Sequence, residues 1–195
     1  TNTYLELCET DLPGQFFTFM EGTDSRYNDL EQSEPIYACA IKLDDMANGN
    51  YEIIDLMPSL SFDKVITWEA PKGPWKLFFF IERKASWYAD VLNPETTKKF
   101  LEYTHERYKA YLGGDFSQVK GFFTDEPQIS RNGIPWSFIM PEEYEKAYGE
   151  PIYDHLIELF IERGDWQQTR MNFWKLVTEL FSKNFMKQIY DWCVA

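Results

Sequence analysis

The chain has 195 residues, 44% hydrophobic and 26% charged, the make-up of a globular protein of one or two domains rather than a disordered one. Its 19 Lys and Arg stand against 32 Asp and Glu, a formal net charge of −13. That balance argues against nucleic acid and against an anionic membrane surface, both of which bind clustered cations. No apolar run reaches the ~20 residues of a membrane span.

The start, Thr1-Asn2-Thr3-Tyr4, lacks the basic opening and apolar stretch of a secretory signal, and there is no initiator Met. The expectation is a processed product or a piece of something longer. Cys8, Cys39 and Cys193 are widely spaced and show no metal-binding or redox pattern, so they read as reduced thiols. The aromatic share of 18% is high enough to supply both a core and stacking surfaces for sugars or bases.

Up to about residue 85 the pattern is strand-like. Residues 15–20 (QFFTFM) predict a strand and residues 22–33 a polar loop. Residues 36–43 (IYACAIKL) form an apolar run of strand length. Asn48-Gly49 is a turn signal, which makes residues 51–56 (YEIIDL) the partner strand. Residues 64–68 (KVITW) and 75–82 (WKLFFFIE) predict two more strands, separated by Pro71-Lys72-Gly73-Pro74. Short, turn-rich connections imply an antiparallel sheet or small sandwich over residues 1–85.

Residues 86–195 are mostly helical. Residues 87–92 (WYADVL) are expected to be a strand leading into a helix. Asn93-Pro94-Glu95 starts that helix, with Asn as N-cap, Pro at the first position and an acid in the first turn. It is expected to reach Leu112 and stop at Gly113-Gly114, with Phe100, Thr104, Tyr108 and Tyr111 on one face. Residues 118–124 (QVKGFFT) then read as a buried strand, and strand–helix–strand is the unit of a parallel sheet. Two short helices are expected over 142–148 and 153–160. A long amphipathic one is expected from Asp165 to Trp192, with Phe173, Val177, Leu180, Phe181, Phe185 and Ile189 at spacings of three and four. A βα rhythm that stops after a helix suggests that more of the sheet follows elsewhere.

The sharpest local feature is Gly121-Phe122-Phe123-Thr124-Asp125-Glu126-Pro127, an apolar stretch ending in two adjacent carboxylates. In parallel α/β sheets and barrels, functional groups gather at the carboxyl ends of strands. A carboxyl at a partly dry barrel mouth can be held protonated and serve as a general acid, while its neighbour orients a hydroxyl or a cation. The alternative is a pair of acids that cap a loop. Asp90 occupies a similar position before the Asn93 cap and reads either as a ligand for a substrate hydroxyl or as a loop acid. Trp136, and with less weight Trp87, reads as a ring that stacks on a sugar face or anchors a loop. His105 and His155 read as packing or surface residues. A phosphate-binding loop, a dinucleotide fingerprint, His-Glu-x-x-His and Gly-x-Ser-x-Gly are all missing from the sequence.

The segments from Asp90 to Glu95, Phe100 to Tyr108, Gly121 to Pro127, Ile134-Pro135-Trp136 and Trp174 to Cys193 together resemble a stretch of large bacterial glycoside hydrolases similar to the family 106 α-L-rhamnosidases, often grouped with family-2-like sugar hydrolases. The resemblance covers residues 75–195, and more loosely the part before them. It implies part of a (β/α)8, TIM-type barrel preceded by a β-rich antiparallel insertion, with 1–85 as insertion and 86–195 as the barrel segment. It implies Glu126 as general acid, Asp125 as a substrate or cation ligand, Asp90 and Trp136 as further substrate contacts, and calcium as a cofactor of the full-length enzyme. The comparison with the Asn-Glu-Pro acid of many barrel glycosidases is by analogy, because Asp125 stands where those have Asn.

The expected function is therefore hydrolysis of glycosidic bonds in plant or bacterial polysaccharide, in the bacterial cytoplasm or after secretion. The expected partner is carbohydrate, with neither nucleic acid nor membrane. A second carboxylate is needed across the scissile bond, and in such barrels it comes from a later strand. The isolated chain is thus expected to be inactive and to self-associate through exposed barrel edges. The alternative reading is a non-catalytic carbohydrate-binding or interaction module. A third is a metal-dependent hydrolase built on Asp90, Asp125 and Glu126.

Overall fold

A computed structural model of the chain describes residues 2–12, 16–20, 34–46, 52–62, 65–85, 88–130 and 133–195. The expected loop over 22–33, the Asn48-Gly49 turn and Trp87 lie outside the described residues, as does the side chain of Cys8.

The longest apolar run behaves as its composition demands. In β6 (Trp75–Ala85), Phe78 and Phe80 face one way, while Leu77, Phe79 and Ile81 face the other, and both sets are buried. A strand covered on both faces needs neighbours on both edges. It has β1 (Asn2–Leu12) on one side, paired antiparallel from Asn2↔Ala85 to Leu12↔Trp75. On the other side is β3 (Glu34–Lys42), also antiparallel, with an irregularity between Pro35 and Tyr37 where Pro cannot donate to the ladder. The two-residue β4 (Ile54–Asp55) closes the edge beyond β3, and β7 (Ile134–Trp136) closes the edge beyond β1. A separate ribbon pairs β2 (Phe16–Met20) with β5 (Val65–Glu69).

The sheet thus carries two apolar faces. Ala38, Ala40, Leu77 and Phe79 pack with Leu56, Ile66 and Ala70 on one side. On the other, Leu5, Cys39, Ile41, Phe78 and Phe80 form a single core with helix residues Met140, Tyr144, Leu156, Phe173, Val177 and Leu180. Burial pushes the Cys39 thiol up to about 12, which makes it a packing group rather than a nucleophile. The core runs across residue 85, where the strand-rich part of the chain gives way to the helix-rich part.

The helices are α1 (Leu43–Met46), α2 (Pro94–Tyr103), α3 (His105–Tyr111), α4 (Met140–Tyr148), α5 (Leu156–Phe160), α6 (Trp166–Phe181) and α7 (Gln188–Val194). A π turn, Ser182–Lys187, joins α6 to α7. Asn93 caps α2 as its residue type requires, accepting from the Glu95 N–H at 3.0 Å. Gly113 and Gly114, at φ 62° and 84°, end α3 in the left-handed region. Asp165 precedes α6 but makes no side-chain cap.

Four expectations are corrected. The 94–112 helix is broken at Thr104, whose backbone (φ −114°, ψ −77°) interrupts the ladder. Residues 88–92 form a turn, not a strand, because Asp90 folds back to accept from the Leu92 N–H. Residues 118–124 are not a buried strand: from 120 to 126 every residue is exposed, and the run pairs with no strand of the sheet among the described residues. All strand pairs among the described residues are antiparallel, so the strand–helix–strand unit of a parallel sheet is not formed there. The fold is mixed α/β, one antiparallel sheet with several helices. None of the helices is long and apolar enough to cross a membrane among the described residues.

Candidate functional site

The turn before α2 gathers several buried polar contacts. Asp90 is 5% exposed. Its Oδ2 accepts from Ser137 Oγ at 2.6 Å, and its Oδ1 accepts from the Leu92 N–H at 3.1 Å. Burial pushes its carboxyl above the usual carboxylate range, against the pull of these two donors. Asn184, from the π turn, donates to the Leu92 carbonyl at 2.7 Å, and Gln188 donates to the Pro94 carbonyl at 3.1 Å. The π turn therefore has a function in the fold: it points Asn184 at the backbone leading into α2.

Beside this turn lies a cavity of about 180 Å³. Tyr88, Ala89 and Val91 supply one wall. Thr96, Thr97 and Phe100 of α2 supply a second, and Phe185 of the π turn a third. The fourth is the run from Thr124 to Gln128. The sequence-predicted acids Asp125 and Glu126 thus meet the first turns of α2. Glu126 has a backbone φ of 40°, a region that non-glycine residues seldom adopt. Such a conformation costs on the order of 1–3 kcal/mol and is held by its surroundings. Both acids are exposed at the mouth.

Phe122 anchors the approach to that mouth. Its ring stacks on His105 with centroids 4.2 Å apart and meets Trp192 edge-on at 5.7 Å. Trp192 in turn donates its indole N–H to Glu106 at 2.5 Å. His105 is held by Thr104. The Thr104 hydroxyl donates to the Phe100 carbonyl at 2.6 Å, so the His105 Nδ1–H is the donor in their 2.7 Å contact. That leaves His105 Nε2 as a buried acceptor without a partner. Burial accordingly lowers the His105 pKa. His155, just before α5, instead sits between Glu150 and Glu158, each at 3.3 Å.

The predicted site residues therefore separate. Asp125 and Glu126 share the cavity. Asp90 lies behind its wall with both oxygens engaged by the fold, which differs from the expected role of substrate ligand. Trp136 differs too: it is 1% exposed, packed in the core from β7, and offers no face for stacking. No group of three or more His, Cys, Asp or Glu is gathered as a metal site among the described residues, so Asp90, Asp125 and Glu126 do not form a ligand set. Sequence reasoning missed Tyr88, Thr97 and Phe185. Thr97 was detectable, because it lies four residues before Leu101, the other buried position of α2.

No family model matches the chain, and no curated protein matches it.

Proposed function

We propose that the chain is part of the catalytic region of a glycoside hydrolase resembling the family 106 α-L-rhamnosidases, acting on plant or bacterial polysaccharide. The observation that carries this reading is the Asp125–Glu126 pair at a small, largely apolar cavity, with the Glu126 backbone held at φ 40°. An apolar wall takes the C–H face of a sugar ring, and carboxylates at the mouth meet its hydroxyls and the glycosidic oxygen. Glu126 is the general acid in this reading and Asp125 a substrate ligand.

In the finer architecture we infer, the chain contributes part of a (β/α)8 barrel whose remaining elements come from other parts of a longer polypeptide. An apolar Gly121-Phe122-Phe123 run left on the surface supports this, with Phe123 87% exposed. The same surface favours self-association of the isolated chain. Hydrolysis needs a second carboxylate roughly 5–5.5 Å from the acid for retention or 6.5–9.5 Å for inversion. Asp90 is committed to Ser137 and Leu92, so it is not that second group in this reading.

A non-catalytic carbohydrate-binding role is the second reading, favoured by the exposure of both acids at the mouth, where they can accept from sugar hydroxyls. Incubating the longest natural polypeptide that contains this chain with a panel of aryl glycosides separates the two. Aryl release supports the hydrolase. Saturable binding without release supports the binding module, and neither outcome from any glycoside removes both.

A further inference from the structure

Threonine hydroxyls inside helices have an ordinary resting place, the carbonyl four residues earlier. Thr104 uses it, donating to Phe100 O at 2.6 Å, and Thr178 uses it, donating to Trp174 O at 2.8 Å. Thr97 does not. The carbonyl four residues before it, Asn93 O, accepts from the Thr96 N–H at 3.2 Å. Thr97 is 1% exposed, and its Oγ1 is buried with no hydrogen-bond partner. Only one other buried side-chain polar atom among the described residues shares that state, His105 Nε2.

An orphaned hydroxyl in a protein interior destabilises the fold, so its retention calls for a partner that arrives from outside. Thr97 lines the cavity of about 180 Å³ whose mouth carries Asp125 and Glu126. That volume is small even for a ligand pocket and holds one ring rather than a chain. Val91, Phe100 and Phe185 make the surroundings apolar. A hydroxyl there both donates and accepts, which matches an alcohol better than a carboxylate or an ammonium group.

We propose that Thr97 is the specificity-determining residue of this cavity, its hydroxyl pairing with one ring hydroxyl of the bound glycosyl unit. The assignment rests on the carbohydrate reading of the site. It makes discrimination between epimers a property of α2, while Asp125 and Glu126 act at the mouth.

The test uses the chain itself, as wild type, Thr97→Val and Thr97→Ser, titrated with methyl α-L-rhamnopyranoside, methyl α-D-mannopyranoside and methyl α-D-glucopyranoside under amide-resolved NMR. The wild type is expected to show saturable shifts at residues 88–97 and 124–128 and to rank the three glycosides. Thr97→Val is expected to bind the preferred one about five- to tenfold more weakly, the loss of one hydrogen bond, and to flatten the ranking. Thr97→Ser keeps both. Without ligand, Thr97→Val is expected to melt a few degrees higher than wild type, since it exchanges an unpaired hydroxyl for a methyl of the same shape. Unchanged affinity and ranking in Thr97→Val would overturn the assignment and leave the carbohydrate reading intact. A lower melting point would overturn it too, by showing that the hydroxyl already has a partner in the fold. If no glycoside shifts the wild type, the carbohydrate reading falls and the assignment falls with it.

Discussion

Asp90 shows how a single carboxylate can be misread. Its place just before a helix cap suits a substrate ligand and a loop acid equally. What decides is Ser137, forty-seven residues away, whose hydroxyl takes Oδ2. Asp90→Asn leaves one acceptor where two are used, so a loss of roughly 1–3 kcal/mol in denaturant unfolding is expected. The pH dependence has a definite sign. The native carboxyl holds its proton more tightly than the unfolded one, whose value is near 3.8. The resulting stabilisation is full below 3.8 and is lost as pH rises through the raised native value. The difference in unfolding midpoint between wild type and Asp90→Asn should follow that limb. His105 has the opposite sign. Burial holds its native pKa below 6.5, so its contribution is present above 6.5 and lost as pH falls through the native value. His105→Phe keeps a ring against Phe122 and is expected to remove that acid limb from a set of melting curves.

The elements that announced themselves in the sequence were those whose signal is local. Residues 75–82 are apolar on both alternating sets, and β6 follows. Asn93-Pro94 fixes the start of α2, and Gly113-Gly114 the end of α3. Spacings of three and four carry α6 through to α7, although they do not show the π turn that redirects Asn184. What was not legible depended on distant partners. β1 carries Glu6 on one face and Glu9 on the other, and only its pairing with β6 accounts for them: Arg83 meets Glu6 at 2.6 Å and Lys76 meets Glu9 at 3.3 Å. β7 is three residues with a Pro, tolerable because it lies at the sheet edge. Residues 118–124 have strand composition but no neighbour. The π turn has a testable role: Asn184→Ala should cost roughly 1–3 kcal/mol by leaving the Leu92 carbonyl unpaired, and hydrogen exchange at residues 88–97 should speed up before the rest of the fold loosens.

At the scale of the molecule, the change of texture near residue 85 is a change of element type and not of core. Phe78 and Phe80 belong to the same apolar cluster as Phe173 and Val177. Expressed separately, residues 1–85 and 86–195 are each expected to lack a cooperative melting transition, because each exposes half of that cluster. Mixing them should restore one. The candidate site is a product of the same arrangement: the turn after the sheet, the first turns of α2, the π turn and the acid-bearing run converge only when the helices are docked. In the proposed hydrolase the chemistry rests most heavily on Glu126, and that is best examined through leaving groups. In the longest natural polypeptide that carries the chain, Glu126→Gln should hydrolyse aryl glycosides with good leaving groups nearly as well as wild type. It should lose activity steeply, by 10²-fold or more, on poor ones that need protonation. Equal rates for mutant and wild type across the whole series would show that Glu126 is not the acid and that the Asp125–Glu126 pair serves the fold.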